Sequence, residues 1–209
     1  IIDDQGIQKL KYTPHANVFG QDTFAYTLVD DHGVSTRQQV SIQITEVNDA
    51  PTGGLLNSVT NEDTPILLDV LSSFTDVDGD TLQIGMISQG TDPHSGVASI
   101  VNGMIEYVPT LNYTGTDQFE YEVMDGRGGT VRSTMTVTMA AVNDVPDANW
   151  VTKTVLEDSG PFIYGIDELA NDVDGDALQL SITRNGQYGT ALINQNNELE
   201  YTPNADYVG

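Results

Sequence analysis

The sequence predicts an all-β protein built from tandem β-sandwich repeats of about 95 residues. Three observations lead to this prediction. Several motifs return at a spacing of 95 residues, which is the mark of a repeat architecture. Short segments alternate apolar and polar residues, as strands with one buried face do. No segment shows the apolar periodicity of an amphipathic helix.

The repeated motifs define the organisation of the chain. YTPHANVFG begins at Tyr12, YVPTLNYTG begins 95 residues later at Tyr107, and YTPNADYVG begins at Tyr201. VNDAP begins at Val47 and VNDVP begins 95 residues later at Val142. We therefore expect one complete repeat, residues 50–144, between the back part of a repeat, residues 1–49, and the front part of a third, residues 145–209. This arrangement suggests a segment cut from a longer series.

Each repeat contains short strand signals. Alternating patterns predict strands in four segments: residues 24–28, 40–44, 119–123 and 135–139. The pair Asn102-Gly103 between two apolar runs predicts a hairpin with a type I′ turn. About seven short strands in roughly 95 residues are typical of an immunoglobulin-like sandwich. With no cysteine in the chain, we expect Tyr107, Phe119 and Tyr121 to fill the core.

Composition excludes several classes of partner. The chain has 31 acidic and 7 basic residues, a formal net charge of −24. This charge excludes nucleic acid, because phosphate binding needs lysine and arginine. It likewise disfavours anionic membranes, and no apolar run approaches the ~20 residues of a transmembrane helix. Cysteine is absent, so thiolate metal sites and disulfides are excluded.

Two acidic loops raise the question of a bound cation. FTDVDGDTL covers residues 74–82 and ANDVDGDAL covers residues 170–178. Three carboxylates in so short a loop repel one another unless a counter-charge is present. The complete repeat offers only Arg127 and Arg132 against 13 acids. Ca²⁺ accepts irregular shells of carboxylate and carbonyl oxygens, whereas Mg²⁺ is stricter, so we expect Ca²⁺. The alternative is that these loops are simple solvated turns.

Two familiar calcium loops do not fit. An EF-hand loop needs Gly at its sixth position and Glu at its twelfth. Counted from Asp76 these positions hold Thr81 and Ile87, and counted from Asp172 they hold Ala177 and Thr183. The glycine-rich nonapeptides of a calcium-binding β-roll are also missing.

Five motifs in fixed order resemble those of cadherin extracellular repeats. They are an early glutamate segment at 59–65, the DxD pair at 76–78, a late D-G-x-G-G turn at 125–129 and the two linkers at 47–51 and 142–146. The sequences of these motifs are similar to those of the cadherin-like repeats of giant calcium-dependent, RTX-type bacterial surface adhesins. The resemblance implies a Ca²⁺ cluster at each junction between repeats.

The resemblance also implies ligand sets. For the first junction these are Asp22, Glu46, Asn48, Asp49, Asp76, Asp78, Asp80 and Asp125. For the second junction they are Glu62, Asp117, Asn143, Asp144, Asp172, Asp174 and Asp176. The counterpart of Glu46 is Ala141, and the family's LDRE motif is not recognisable. We therefore expect the second junction to hold fewer ions than the first.

The function expected from these features is not catalytic, since no unique acid, base or nucleophile constellation is visible. We expect a calcium-stiffened extender segment of an extracellular bacterial adhesin that supports adhesion and biofilm formation. Its partners would be the neighbouring repeats of the same chain. Two alternatives stay open: a repeat that itself binds cell-surface glycans or like domains, for which Trp150 is the one candidate contact, and an accessory β-domain of a secreted polysaccharide-degrading enzyme.

Overall fold

The computed structural model describes residues 2–4, 7–90 and 96–208 of the 209-residue chain. The chain divides into two compact units, Ile1–Ala140 and Ala141–Gly209. Strands dominate both, and the predicted all-β class is confirmed. The helices of the described residues are a 3-10 turn, Leu71–Ser73, and the four-residue α1, Ile166–Leu169. Within these described ranges no helix has the length and apolar character needed to cross a membrane.

The first part of unit 1 consists of two antiparallel hairpins. Their strands are β1 (Ile2–Asp4), β2 (Ile7–Lys9), β3 (Gly20–Val29) and β4 (Ser35–Ile44). β3 and β4 pair along their whole length, with Gly20 opposite Ile44. Half-buried Phe24 and Tyr26 alternate with exposed neighbours, so one face of the hairpin carries the apolar side chains. Both predicted strands in this part are confirmed.

The second part of unit 1 is a two-sheet sandwich. Its strands are β5 (Thr52–Gly53), β6 (Leu56–Asn61), β7 (Ile66–Leu68), β8 (Phe74–Thr75), β9 (Gln83–Ser88), β10 (Val97–Val101), β11 (Met104–Val108), β12 (Gly115–Met124) and β13 (Thr130–Ala140). One sheet has the order β6-β13-β12-β9 and the other β10-β11-β7, while β5 pairs with β8. β6 runs parallel to β13, and the other pairs are antiparallel.

The core lies between these two sheets. Tyr107 of one sheet stacks on Phe119 of the other, with ring centroids 5.9 Å apart. Tyr121 meets Phe74 edge-on at 6.1 Å. The three predicted core aromatics are 0%, 3% and 1% exposed for Tyr107, Phe119 and Tyr121, which confirms their role. Truncating a buried aromatic of this size costs about 3–5 kcal/mol, so these rings hold the sandwich together.

The hairpin between β10 and β11 is confirmed in detail. Val101 pairs with Met104, which leaves a two-residue turn. Asn102 has φ 51° and Gly103 has φ 79°, so both turn residues are left-handed. This geometry matches the twist of the flanking strands, which explains the asparagine–glycine pair.

Unit 2 repeats part of this design. Its strands are β14 (Asp147–Ala148), β15 (Phe162–Tyr164), β16 (Ala170–Asn171), β17 (Gly189–Ile193) and β18 (Leu199–Pro203). β14 pairs with β16, and β15, β18 and β17 form a three-stranded sheet. These pairings match β5 with β8 and β7 with β11 and β10, so the periodic sequence folds into the same local topology.

Candidate metal centre

The first acidic loop is organised by its leading aspartate. Asp76 Oδ1 accepts hydrogen bonds from the backbone N–H groups of Asp78 at 2.9 Å and Asp80 at 3.4 Å. The Gly79 N–H donates to the Asp76 carbonyl at 3.3 Å. Gly79 has φ +79°, a conformation that glycine adopts without strain. The residue types of the loop therefore follow from its turn geometry.

The second acidic loop has the same geometry. Asp172 Oδ1 accepts from the N–H groups of Asp174 at 3.0 Å and Asp176 at 3.1 Å. The Gly175 N–H donates to the Asp172 carbonyl at 3.3 Å, again with φ +79°. Two loops 96 residues apart thus fold in one way, within separate units.

Each loop gathers its carboxylates closely. Asp76, Asp78 and Asp80 each offer an oxygen, and these three atoms lie within 4.8 Å of one another. The same holds for Asp172, Asp174 and Asp176 in unit 2. An ion with oxygen ligands at about 2.3–2.6 Å fits among atoms so spaced. Without one, the like charges repel.

The linker residues Asn48 and Asp49 are hydrogen-bonded to the acidic residues of unit 1. The Asp49 N–H donates to Asp78 Oδ2 at 2.7 Å. Asn48 Nδ2 donates to Asp125 Oδ2 at 2.6 Å and to the Asp49 carbonyl at 3.2 Å. The structure therefore brings the linker pair together with the acids of two different loops. These residues were predicted to share a junction, and their role as metal ligands stays a prediction.

Unit 2 repeats the linker contact. The Asp144 N–H donates to Asp174 Oδ2 at 2.6 Å, and Asn143 Nδ2 donates to the Asp144 carbonyl at 2.8 Å. In both units the middle aspartate of the loop therefore holds the backbone of the preceding linker.

Asp125 closes the centre from the turn between β12 and β13. It is 4% exposed and accepts from the N–H groups of Arg127 at 2.7 Å and Gly129 at 3.0 Å. A Cβ on Gly129 would collide with Asp125 Oδ2, so the turn requires glycine there. The Asn48 amide lowers the pKa of Asp125, and the backbone donors lower it further against the opposing effect of burial. Asp125 is thus held as a carboxylate.

Two oxygens of this centre lack donors. Asp76 Oδ2 and Asn48 Oδ1 are buried and accept no hydrogen bond from any residue that the structure describes. A buried acceptor without a partner costs about 1–3 kcal/mol. A hard cation would satisfy both atoms, and the donor set of carboxylate and amide oxygens is the one that Ca²⁺ prefers. The residues present therefore fit a calcium ion.

Glu46 and Asp80 contact a cation of the protein itself. Arg127 Nη1 lies 2.8 Å from Glu46 Oε1 and 3.2 Å from Asp80 Oδ2. The hydrogen bond from Arg127 lowers the pKa of Glu46, and Glu46 in turn raises the pKa of the guanidinium. In the sequence analysis Arg127 appeared only as one of the two basic residues of the complete repeat, and its contact with Glu46 and Asp80 was not predicted. The available signal was its place inside the D-G-x-G-G turn, beside Asp125.

Two further predicted ligands have partners inside their own repeats. Asp117 is 6% exposed and accepts from the Tyr107 hydroxyl at 2.7 Å. Asp22 accepts from the Tyr12 hydroxyl, also at 2.7 Å. Among the described residues, neither carboxylate belongs to a group of acids close enough to share one ion. Glu62, the remaining predicted ligand of unit 1, is buried at 4% exposure.

A second periodic contact was missed by the sequence reasoning. Asp63 Oδ1 accepts from the Asn112 N–H at 2.8 Å, and Asp158 Oδ1 accepts from the Asp206 N–H at 3.0 Å. Both acceptors have positive φ, 56° and 57°. Their equal place in the repeat was the available signal. Asp63 and Asp158 each hold a turn of their own repeat by a hydrogen bond and are not part of the acidic centre.

Three comparisons set the chain beside known proteins. No curated protein sequence matches the chain. Among solved structures, human mucin-like protocadherin EC1-2 is 19% identical, covers 64% of this chain and 74% of its own, and has a TM-score of 0.44. Protocadherin gamma B2 extracellular cadherin domains 1-5 are 16% identical over 91% of this chain and 39% of that chain, with a TM-score of 0.44.

An endo-fucoidan hydrolase from glycoside hydrolase family 107 is 18% identical over 92% of this chain, with a TM-score of 0.37. This chain spans about a third of that enzyme's length, covering 30% of it.

A family model matches the chain three times, at residues 1–43, 48–138 and 143–209. The chain therefore belongs to the bacterial Ig domain family, and its three matches to this domain follow one another in tandem.

Proposed function

We propose that the chain is a calcium-stiffened extender segment of a large, RTX-type bacterial surface adhesin. In this proposal residues 50–144 are one complete repeat, and residues 1–49 and 145–209 belong to its neighbours. The segment lies outside the cell and carries no catalytic site. It holds a distal ligand-binding domain away from the surface and so supports adhesion and biofilm formation. Membership of the bacterial Ig domain family supports this proposal.

One observation carries the calcium part of the proposal. Asp76 Oδ2 and Asn48 Oδ1 are buried acceptors without donors among the described residues, beside carboxylates that crowd together. We propose that Asp76 and Asp78 hold the ion with Asn48, while Asp80 is paired with Arg127. Bound Ca²⁺ would supply the positive charge that these oxygens lack. The absence of nitrogen and sulfur ligands from this set favours Ca²⁺ over zinc.

The hydrogen bonds of the linker support a stiffening role. Asp49 is already bonded to Asp78, and Asn48 to Asp125. An ion held by the same loop would therefore fix the linker backbone against the complete repeat. Binding to the ordered state alone stabilises it by about 2.7 kcal/mol at a hundredfold excess over Kd. That is enough to convert a hinge into a fixed connection.

Asp76→Asn tests the metal site apart from the fold. The amide oxygen of asparagine can still accept from the Asp78 and Asp80 N–H groups, as Asp76 Oδ1 does. The variant loses one charge of the ion's shell, so we expect calcium affinity to fall by about tenfold or more. Calorimetric titration of the 209-residue protein with CaCl₂ measures this affinity. Urea unfolding in chelator checks that the fold is kept.

Asp69→Asn is the matched control, since Asp69 is an exposed aspartate of the same unit outside the acidic loops. It should bind calcium as the wild type does. Equal affinities for the two variants would contradict the assignment of the site. Absence of calcium binding in the wild-type protein at millimolar concentrations would overturn the proposed function itself.

Trp150 supports a second candidate, a repeat that itself binds glycans or like domains. Its side chain is 95% exposed, and it is the single tryptophan of the chain. An exposed indole offers a flat apolar face with a polar N–H, which suits a sugar ring or a partner surface. Trp150→Ala should abolish glycan-array binding if this candidate holds, with Leu156→Ala at another exposed apolar residue of unit 2 as the control. Array signals that do not change in Trp150→Ala would refute it.

A further inference from the structure

We propose that Arg127 is a built-in cation of the first junction. It clamps the linker to the acidic loop without metal and keeps two carboxylates from a further divalent ion. The part of this inference that concerns ion number rests on the proposed function. The clamp itself rests only on the geometry of unit 1.

The geometry places one guanidinium between two separate segments. Arg127 Nη1 is 2.8 Å from Glu46 Oε1, which follows β4 in the linker. The same atom is 3.2 Å from Asp80 Oδ2 and 3.5 Å from Asp80 Oδ1, in the loop after β8. A third segment, the turn between β12 and β13, supplies the arginine. The contact therefore joins linker, loop and turn at one nitrogen.

Charge explains why the clamp competes with an ion. Arginine stays protonated under all ordinary conditions, so its charge is permanent. An ion that used Glu46 or Asp80 would have to displace the guanidinium or lie beside a like charge. Asp76 and Asp78 make no such contact with Arg127 in the described structure, and they remain available to an ion.

The clamp changes the expected difference between the two junctions. Counting acids predicts more ions at the first junction, because Glu46 has Ala141 as its counterpart. Arg127 neutralises that additional acid. Because Glu46 is paired with Arg127, it no longer adds to the carboxylates that a divalent ion can use. The first junction then offers no more free carboxylates than it would without Glu46. We infer that the arginine offsets the glutamate and that the first junction takes no additional ion.

Three variants test the inference in the 209-residue protein. Arg127→Gln removes the clamp. Arg132→Gln is the matched control, because Arg132 contacts Glu122 on the surface of the β12–β13 pair at 3.3 Å. Glu46→Gln breaks the linker contact but leaves Arg127 beside Asp80.

The first readout needs no metal. In chelator, the rate of proteolytic cleavage within residues 45–50 measures how often the linker opens. An exposed ion pair changes an equilibrium constant by up to about fivefold, so we expect Arg127→Gln and Glu46→Gln to be cleaved about two- to fivefold faster. Arg132→Gln should be cleaved at the wild-type rate. Equal rates in all four proteins would overturn the clamp.

The second readout is calcium titration by calorimetry. Arg127→Gln should bind about fivefold more tightly or take one additional ion, because a repelling charge is gone and two carboxylates are released. Glu46→Gln should show neither gain, since Arg127 still neutralises Asp80. Weaker binding in Arg127→Gln would overturn the competition. If no protein binds calcium, the proposed function and the competition fall together, while the cleavage readout still decides the clamp.

Discussion

At the scale of single residues, the pair of Tyr107 and Asp117 shows how a carboxylate is accommodated inside the sandwich. Tyr107 is fully buried, and its hydroxyl donates to Asp117 Oδ2 at 2.7 Å. The Gly96 N–H donates to the same oxygen at 3.0 Å. Burial, followed by the contact with Asp117, raises the pKa of Tyr107, so the phenol remains the donor. The pair is therefore a structural unit of the core.

Tyr107→Phe should destabilise unit 1 whether or not calcium is present. The substitution keeps the ring and removes the hydroxyl, so Asp117 loses one of its donors. A buried polar group that loses a partner costs about 1–3 kcal/mol, and we expect a loss of this size in the free energy of unfolding. Urea titration in calcium and in chelator measures it. Tyr26→Phe, at a half-buried tyrosine of β3, should change far less. A loss seen only in calcium would instead favour metal ligation by Asp117.

At the scale of single residues, the sequence is least able to predict which group binds a given carboxylate. Asp22 and Asp117 recur with the period, as a ligand would, but so do Tyr12 and Tyr107 ten residues earlier. Spacing alone cannot decide whether a hydroxyl or an ion binds the carboxylate, because both leave the same periodic pair. The acids at 76, 78 and 80 were easier to assign to one cluster, since residues of one short loop stay together in any fold.

At the scale of elements, the turn between β12 and β13 holds one carboxylate of the acidic centre, Asp125, in a network of hydrogen bonds. Asp125 accepts hydrogen bonds from Asn48 and from the backbone of the turn, and these contacts hold its pKa below the ordinary value. The folded state therefore binds a proton there less readily than the unfolded state. The stabilisation is complete above the unfolded pKa of about 4 and is lost as the pH falls through the folded pKa.

Asp125→Asn should remove this pH dependence. In calcium-free buffer, we expect the wild-type free energy of unfolding to exceed that of the variant at pH 7 and at pH 5. The difference should shrink below about pH 4, where the aspartate of the unfolded chain is protonated. Urea unfolding at several pH values measures both proteins. A constant difference for Asp125→Asn down to pH 3 would contradict the expected linkage.

Elements also differ in how well sequence predicts them. The paired strands β12 and β13 follow from alternation, because one buried face imposes a period of two. The asparagine–glycine turn follows because few residues tolerate two positive φ angles. Helix α1 was not predicted, since its four residues are too few to show a helical period. The contact from Arg127 to Glu46 spans 81 positions and leaves no local pattern.

At the scale of the whole molecule, the net charge of −24 has a spatial pattern. Six acids of the first junction lie in the linker, the loop after β8 and the turn after β12, and they are Glu46, Asp49, Asp76, Asp78, Asp80 and Asp125. Arg127 is the basic side chain that contacts this group among the described residues. One guanidinium does not balance six carboxylates, so most of the repulsion at the junction is not compensated by the basic side chains that the structure describes.

This imbalance predicts that calcium controls the shape of the chain. Without divalent ions, repulsion among the junction acids should let the linkers open and hinge. Monovalent salt shortens the Debye length to about 10 Å at 0.1 M and so only weakens the repulsion. A bound calcium ion would instead hold linker and loop in one coordination shell and so would fix the angle between repeats. Stiffness should follow calcium and not ionic strength.

Small-angle X-ray scattering of the 209-residue protein tests this expectation. In millimolar CaCl₂ we expect an extended, rigid particle with a well-defined maximum dimension. In chelator at matched ionic strength, set with NaCl, we expect a broader and more flexible ensemble. The double variant Asp76→Asn/Asp172→Asn, which weakens both loops, should stay flexible in calcium at concentrations that stiffen the wild type. Identical scattering of the wild type in the two buffers would mean that the acidic loops do not govern the junctions, since repulsion between uncompensated carboxylates would then have no mechanical effect.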